Sequence, residues 1–238
     1  MDNTPLRKFV PKFLKRPVKK ALLRRELRSA IKKIRQLPAG QVPGRQLLSE
    51  LITGWGNEGY SANLDYVEEV AKRSIETDGP ILECGSGVTT ILLGILCSPR
   101  QVDVWSLENS PEWGALVAGV LAQNGLSGVR VCSSPLIEYD EFVWYDPPLA
   151  EMPGEFSLVI CDGPPGSTRG GRYGLLPVMG PRLPPGSTIL LDDAHRDAEV
   201  EMIQRWQIEA EVDTEPGSAQ NDTFAVLRRG RKNSVVAQ

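Results

Sequence analysis

Short apolar runs alternate with stretches of helical spacing over most of the chain, and this alternation predicts the secondary structure. The runs typical of buried strands are 81–84, 102–107, 129–132, 156–161, 187–191, 207–212 and 223–227. The helical stretches are 45–53, 61–77, 90–97, 111–124 and 197–206. Ser61 or Asn63 is the expected N-cap of the second helix. The cadence of strand, helix and strand predicts a parallel sheet with both faces covered, and the short last connection makes the final two strands antiparallel.

The first 36 residues differ, because an apolar stripe runs along an otherwise cationic helix. This segment holds thirteen Lys and Arg against Asp2 and Glu26, although the whole chain has a net charge of −3. The apolar positions of the stripe are Val18, Leu22, Leu27, Ala30, Ile31 and Ile34. One interpretation is contact of residues 1–36 with a membrane surface or another polyanion. The other is packing of the stripe on the rest of the chain, or on a sister subunit in a homo-oligomer.

Composition limits the class of protein. The chain has 238 residues, 41% of them hydrophobic, which suits one domain with an appendage. We expect a basic N-terminal helix and linker at 1–45, a domain at 46–228 and a disordered tail at 229–238. No apolar run approaches the ~20 residues that span a bilayer. Four cysteines without Cys-x-x-Cys spacing favour cytoplasmic residence, peripheral to the membrane if the basic helix binds lipid.

The segment Ile81–Thr90 carries the strongest functional signal, because an apolar strand runs through Glu83 into two closely spaced glycines and then a helix. Gly85 and Gly87 allow backbone N–H groups to approach a ligand at the helix N-terminus. The next strand ends in Glu108, 23 positions beyond Gly85, which suits a carboxylate that accepts both hydroxyls of a ribose. The sequence therefore predicts a nucleotide-like ligand at this turn.

The turn does not match the dinucleotide-binding fingerprint, which needs a third glycine where Thr90 stands. It resembles the first motif of S-adenosylmethionine-dependent methyltransferases of the Rossmann-like class, acidic-x-Gly-x-Gly-x-Gly, with Glu83, Gly85 and Gly87 matching and Thr89 in place of the last glycine. The resemblance implies an α/β fold with a doubly wound, mostly parallel seven-stranded sheet that ends in a C-terminal antiparallel hairpin. It also implies S-adenosylmethionine as the cofactor. The cofactor-binding residues that we infer are Glu83, Gly85, Ser86, Gly87, Thr89, Glu108, Asn109, Ser133, Ser134 and Asp162.

Acidic residues follow the fourth and fifth predicted strands of the parallel sheet, at the edge where ligands of such sheets bind. Asp162 and Asp193 resemble the acids that hold Mg²⁺ or another divalent cation in catechol-type and macrolide-sugar O-methyltransferases. The catechol-type pattern continues with an asparagine and a nearby lysine, whereas this chain has Ala194 and no lysine near the fourth strand. A second interpretation needs no metal: Asp192 caps the next helix, and Asp162 contacts the amino acid part of the cofactor.

Proton transfer and substrate contact have separate candidates. His195 is the only histidine of the chain, and an imidazole suits a general base near neutral pH. The residues predicted to carry the chemistry are Asp162, Asp193 and His195. The substrate-binding candidates, on the glycine-rich loop after the fourth strand, are Arg169, Arg172 and Tyr173. The loop 54–60 and the aromatic run 142–145 each have two interpretations, a cover or wall of the site and ordinary surface or edge structure.

These residues together predict a methyltransferase that places the methyl group of S-adenosylmethionine on an oxygen, in preference to a nitrogen, of a small polar acceptor such as a sugar or a sugar-containing metabolite. The alternative is a non-catalytic binding or scaffold protein that keeps the cofactor fold and docks on a membrane or polyanion through its N-terminal helix. The two differ in whether the acids and the histidine act on a bound acceptor.

Overall fold

The computed structural model describes residues 12–56, 62–215 and 223–230, with side chains described from Lys19 onward. The strands are β1 Ile81–Cys84, β2 Val104–Glu108, β3 Val129–Ser133, β4 Leu136–Glu138, β5 Val143–Tyr145, β6 Leu158–Cys161, β7 Thr188–Asp192, β8 Val212–Thr214 and β9 Phe224–Arg229. The α-helices are α1 Lys12–Arg35, α2 Arg45–Trp55, α3 Leu64–Glu76, α4 Val88–Cys97, α5 Pro111–Gln123, α6 Leu175–Met179 and α7 Asp197–Ala210.

A sheet of seven strands, in the order β3-β2-β1-β6-β7-β9-β8, forms the centre of the described part of the chain. β1 pairs in parallel with β2 and β6, and parallel pairing continues to β3 on one side and to β7 on the other. β9 runs antiparallel between β7 and β8. The predicted fold class is confirmed. Because the winding reverses between β1 and β6, a crevice opens at the carboxyl ends of these two strands.

Both faces of the sheet are covered by apolar cores. Ile81 and Leu158 belong to a core shared with α1–α5, whereas their neighbours Leu82 and Val159 belong to a core shared with α6, α7 and the β4–β5 pair. Successive side chains of a strand point to opposite faces, so a strand covered on both sides has no polar face. This double coverage is why the central strands are continuous apolar runs in the sequence.

The aromatic run 142–145 forms half of a second, two-stranded sheet. β5 pairs antiparallel with β4, which the sequence pattern did not predict, and Trp144 lies opposite Ile137. The side chains of Trp144 and Tyr145 are fully buried. The run is therefore neither a strand of the main sheet nor a surface element, and Tyr145 reaches the cleft described below.

The prediction of a strand over 207–212 is wrong for most of its length. Helix α7 continues to Ala210, and only Val212 lies in β8. Met202 and Trp206 are buried beneath α7, whereas Ile208 is 84% exposed. The sequence from Gln207 to Val212 alternates in polarity and so fits a strand, but the apolar contacts of the preceding turns hold these residues in the helix and turn Ile208 to the outside.

Helix α1 packs on the rest of the chain through its C-terminal half. Leu27, Ala30, Ile31 and Ile34 are buried in the core that also contains α2–α5. Leu22, which the sequence assigned to the same stripe, is 53% exposed. Packing on the chain is thus correct for the second half of the stripe, and contact of residues 1–36 with a polyanion stays a prediction. No helix in the described ranges is long and apolar enough to cross a membrane.

Three smaller expectations concern the segment ends. Asn63 is the N-cap of α3, since its Oδ1 accepts a hydrogen bond from the Asp65 N–H at 3.0 Å. The alternative cap Ser61 and the loop residues 57–60 lie outside the described residues. Arg229, predicted to begin the tail, is the last residue of β9, and 231–238 lie outside the described residues.

Candidate functional site

The turn after β1 is shaped by a glycine that meets a second glycine across the crevice. Gly85 has a φ of +90°, a conformation that favours glycine. A Cβ on Gly85 would lie 3.2 Å from the backbone nitrogen of Gly163, and a Cβ on Gly163 would lie 2.3 Å from the Tyr145 hydroxyl. The turns after β1 and β6 therefore touch backbone to backbone, which sets the floor of the crevice.

Glu108, the last residue of β2, is held against this turn. One carboxylate oxygen accepts hydrogen bonds from the N–H (3.1 Å) and the hydroxyl (2.7 Å) of Ser86, and the other accepts from the Ser110 N–H at 2.8 Å. Helix α5 starts directly afterwards with Pro111, and its Trp113 donates from the indole N–H to the Ser86 carbonyl at 2.8 Å. The contacts fix the orientation of the carboxylate before any ligand binds. We call residues 85–89 and 108–113 the glycine wall.

Glu83 supports the glycine wall from below. Its side chain is completely buried and accepts hydrogen bonds from the hydroxyls of Thr90 (2.6 Å) and Ser106 (2.5 Å). The Thr90 hydroxyl in turn accepts from the Gly87 N–H at 2.7 Å. Burial raises the pKa of Glu83 to about 7. Glu83 does not line the cleft, so in this structure it orders the turn that was expected to bind the cofactor with it.

Three aspartates meet on the opposite side. Asp162 follows β6, Asp192 ends β7, and Asp193 follows with a φ of +58°. Each offers a carboxylate oxygen, and these oxygens lie within 4.8 Å of one another. The N-cap of α7 is Arg196, so the suggestion that Asp192 caps this helix is wrong. The Asp192 carboxylate instead accepts a hydrogen bond from the Asp193 N–H at 2.9 Å.

Arg172 inserts a buried cation among these acids. Its side chain is only 2% exposed, and Nη2 lies 3.1 Å from Asp162 Oδ1 and 3.0 Å from Asp193 Oδ2. Nη1 donates to the Asp192 carbonyl at 2.5 Å and to Glu199 Oε1 at 3.4 Å. The other oxygen of Asp193 pairs with Arg196 at 2.9 Å. The guanidinium thus neutralises much of the charge that three clustered carboxylates would carry.

The acid cluster still holds protons tightly. Burial, with the nearby Asp192 carboxylate, raises the pKa of Asp162 to about 8, although Arg172 opposes the shift. Burial and Asp193 also raise the pKa of Asp192. At neutral pH the cluster therefore retains at least part of a proton. We call Asp162, Asp192, Asp193, Arg172 and His195 the acid wall.

The glycine wall and the acid wall face each other across a cleft with a volume of about 890 Å³. His195 lines the cleft in the exposed turn between β7 and α7, and its ring makes no hydrogen bond to the described protein. The other predicted site residues in the lining are Gly85, Ser86, Gly87, Thr89, Glu108, Asn109, Asp162, Arg172 and Asp193. The fold thus brings together residues from four strand ends, as the predicted sheet required.

Four other predicted site residues do not line the cleft. Ser133 ends β3, and the hydroxyl of Ser134 is buried without a hydrogen-bond partner among the described residues. Arg169 pairs with Glu138, and the Tyr173 hydroxyl donates to Glu209 at 2.6 Å. The loop after β6 was expected to be a cationic substrate clamp. Of its three candidates, only Arg172 reaches the cleft, and it does so as the partner of the acids.

Several lining residues were not predicted. They are Ala62, Asn63, Val88, Ser110, Trp113, Tyr145, Gly163, Pro165, Gly166, Asp192, Arg196 and Thr223. Trp113 could have been predicted from the sequence as part of the site, because it lies in the first turn of the helix after Glu108. Thr223 could not, since it enters the cleft from the antiparallel end of the sheet.

The glycine wall fits the adenosyl part of a cofactor. A Cβ on Gly87 would meet no atom within 4 Å, so this glycine faces the open cleft. Glu108 presents a preoriented carboxylate beside it, and the N-terminus of α4 begins at Val88. The residues present match the donor and acceptor groups of a ribose and of a ligand that approaches the backbone closely.

The acid wall fits a divalent cation poorly. Three carboxylate oxygens are a suitable hard ligand set, but both oxygens of Asp193 and one of Asp162 already contact guanidinium groups. The third position of the catechol-type pattern is Ala194, which has no ligand atom. A cation would have to displace Arg172, whose charge would then remain buried and unpaired.

Solved structures with the same arrangement of elements are methyltransferases. The SAH-bound methyltransferase PaMTH1 of Podospora anserina is 16% identical and covers 97% of this chain and 100% of its own, with a TM-score of 0.52. A precorrin-6y C5,15-methyltransferase from Geobacter metallireducens is 12% identical, with 73% and 92% covered and a TM-score of 0.52. The O-methyltransferase of Bacillus cereus in complex with SAH is 16% identical, with 79% and 92% covered and a TM-score of 0.50.

No protein-family model matches the sequence, and no curated protein does. The likeness to solved structures therefore rests on the fold. The chain has the Rossmann-like methyltransferase fold, as the motif around Gly85 and Gly87 implied. The fold alone does not identify the reaction or the acceptor, because both depend on the residues of the cleft.

Proposed function

We propose that this chain is an S-adenosylmethionine-dependent methyltransferase that methylates an oxygen of a small polar acceptor, such as a sugar or a sugar-containing metabolite. The observation that carries the proposal is the pairing of the two walls across one cleft. A preoriented Glu108 carboxylate lies on one side, and an imidazole without a partner among the described residues lies on the other, beside three clustered carboxyl groups. The fold shared with SAH-bound methyltransferases supports the cofactor assignment.

Each wall has a separate task in the proposed reaction. When bound, the cofactor supplies a methyl group on a positively charged sulfur, which needs little activation. Glu108 accepts hydrogen bonds from the ribose hydroxyls, and the backbone of Gly85–Gly87 lies against the cofactor. Asp162 binds the amino acid part of the cofactor, since its Oδ1 is already oriented by Arg172. Positioning of donor and acceptor is then the main contribution of the protein.

We assign proton transfer to His195. It is the one group of the acid wall whose side chain makes no hydrogen bond or ion pair within the described protein, so its ring nitrogen is available to an acceptor hydroxyl. Asp193 is less suited, because guanidinium groups hold both of its oxygens. The polar lining around His195, with Asn63, Arg196 and Thr223, suits an acceptor rich in hydroxyls.

The first experiment measures transfer of a labelled methyl group from S-adenosylmethionine to a panel of free sugars and nucleotide sugars. We expect transfer by the wild type, and a drop in kcat of about 10²–10⁴-fold in His195→Ala with unchanged affinity for S-adenosylhomocysteine. Glu201→Ala on the exposed surface of α7 is the control and should keep full activity. Equal turnover of His195→Ala and wild type would refute the assignment of the base.

The scaffold alternative predicts a different result. A protein that only keeps the cofactor fold would bind S-adenosylhomocysteine and transfer no label to the panel or to a metabolite extract of cells. Absence of any heat with S-adenosylhomocysteine in calorimetry would remove the cofactor assignment and both alternatives with it.

The metal question has its own test. Because Arg172 occupies the contacts that a divalent cation would make, we propose that transfer needs no such ion. Activity after treatment with EDTA should therefore equal the untreated rate. Loss of activity on chelation, restored by Mg²⁺, would show instead that the acids bind metal and that Arg172 moves away.

A further inference from the structure

The N-terminal half of α1 continues past the end of α2. α1 and α2 run antiparallel: Lys33 pairs with Glu50 at 2.7 Å, and a Cβ on Gly54 would lie 2.4 Å from the Leu27 nitrogen. A Cβ on Gly56, just after the end of α2, would lie 2.6 Å from Leu23. Residues 12–22 therefore continue past the end of α2, over about 16 Å of helix at 1.5 Å per residue.

This projecting end lies on the side of the cleft. Trp55, the last residue of α2, packs edge to face on Trp113 with ring centroids 5.6 Å apart. Trp113 belongs to the glycine wall. A surface that binds the projecting half of α1 would thus meet the molecule at the end where the cleft lies.

The exposed surface of α1 carries cations without acidic partners. The exposed cations that form no ion pair within the described part of the chain are Lys20, Arg24, Arg25, Arg28 and Lys32. Glu26 is the only acid between residues 12 and 35. Cations elsewhere on the surface are mostly paired, such as Arg45 with Asp65 at 2.7 Å. The positive charge of these five residues is therefore not neutralised by ion pairs within the described protein.

The same surface carries apolar residues in its N-terminal half. Ala21 is exposed and Leu22 is 53% exposed. In the sequence, apolar residues also stand at positions 13, 14, 17 and 18, at spacings of three and four that lead to Ala21 and Leu22. At 3.6 residues per turn the mean direction of these six positions lies roughly 120° from the side that buries Leu27, Ile31 and Ile34. The apolar pattern of α1 thus changes sides where the helix passes the end of α2.

We infer that the exposed surface of α1 docks on an anionic lipid surface. Exposed apolar positions next to a run of cations fit the boundary between headgroups and acyl chains, where both are satisfied at once. A nucleic acid or other polyanion would use the cations but would leave Ala21 and Leu22 in water. The inference concerns a surface outside the cleft and does not depend on methyl transfer.

The experiment is co-sedimentation of the full chain with vesicles. We expect binding to phosphatidylcholine vesicles that contain about 30% phosphatidylglycerol, little binding to pure phosphatidylcholine, and weaker binding at high salt, since surface charge attracts cations over about one Debye length. Arg28→Glu should reduce affinity by about tenfold. The matched control Lys72→Glu reverses a charge on α3 that is 50% exposed and should change affinity less than about twofold.

Leu22→Asn distinguishes lipid from other partners, because it removes an apolar side chain without a change of charge. The Leu22 side chain is exposed, so the fold and the binding of S-adenosylhomocysteine should persist, while vesicle affinity falls by about tenfold. Two results would overturn the inference. One is equal vesicle binding by Leu22→Asn and wild type together with tight binding to heparin, which would indicate a polyanion. The other is a dimer in solution that Leu22→Asn dissociates and that does not bind vesicles.

Discussion

Carboxyl groups are shielded from water on both sides of the cleft, but the groups that surround them differ. Under the glycine wall, Glu83 is surrounded by hydroxyl groups and no cation, and its pKa rises to about 7. In the acid wall, the aspartates surround the guanidinium of Arg172, and Asp162 keeps a pKa of about 8 beside it. Burial favours the neutral form of Glu83, and the hydroxyl groups that donate to it oppose this shift only in part, whereas the acid wall places its carboxyl groups around one fixed cation.

The two walls also differ in how far apart in the sequence their residues lie. The glycine wall comes from one continuous unit, β1 to the start of α5, and its hydrogen bonds join residues such as Ser86 and Glu108 within that unit. The acid wall joins β6, β7 and a loop, and its contacts depend on how three segments pack. A change in Arg172 should therefore disturb the molecule more widely than a change at Glu108.

The largest expected effect is on stability, in Arg172→Met. Removal of the cation leaves the buried Glu199 and the partly buried Asp162 and Asp193 without it, and loss of the partner of a buried charge typically costs about 3–5 kcal/mol of unfolding free energy. Urea unfolding at pH 8 measures the loss, which should shrink at pH 5 as the carboxyl groups gain protons. The neighbouring exposed pair of Arg169 and Glu138 supplies the control, since Arg169→Met should cost less than about 0.5–1 kcal/mol. Similar losses in both variants would contradict the role of Arg172.

The second effect is the pH dependence of Glu83→Gln. A folded pKa of about 7, above the ordinary 4.5, means that Glu83 lowers stability progressively as the pH rises from about 4.5 to 7. Glutamine has no such dependence. The stability of the variant relative to wild type should therefore increase by on the order of 2–3 kcal/mol between pH 5 and pH 8. Parallel stability curves over this range would show that Glu83 does not titrate as the burial implies.

The smallest effect concerns Glu108→Gln. Replacement of the carboxylate by an amide weakens the two hydrogen bonds proposed to the ribose, so affinity for S-adenosylhomocysteine should fall by about 10–100-fold. Titration calorimetry measures the change. Glu201→Gln, at an exposed position of α7 outside the cleft, should alter the affinity less than about twofold. Equal affinity of Glu108→Gln and wild type would place the ligand elsewhere.

The sequence predicted the site in proportion to how local each part is. Gly85, Gly87 and Glu108 are separated by one strand, helix and strand, and the spacing alone indicated that they would meet. The acids after β6 and β7 were predicted to share an edge of the sheet, because parallel strands end on the same side. The roles of Arg172 and Ser134 were not predictable, since both depend on which side of a loop packs inward.

The prediction from sequence was wrong where the same residues fit two different patterns of hydrophobic positions. Residues 207–210 alternate like a strand, yet the burial of Met202 and Trp206 continues α7 through them. The stripe of α1 was assigned to one face, yet Leu22 is 53% exposed whereas Leu27 is buried. In both cases contacts with distant elements selected one of two patterns that the sequence allowed.

By itself the sequence determined the order of the seven strands of the main sheet, the glycine turn and the acids at the strand ends, because these follow from hydrophobic period and from the spacing of neighbours along the chain. Only the tertiary structure decided that Arg172 is buried among the aspartates, that Glu83 lies beneath the cleft and that α1 continues past the end of α2. Burial of a charge depends on which segments exclude water from it, and that is settled when the distant parts of the chain pack together.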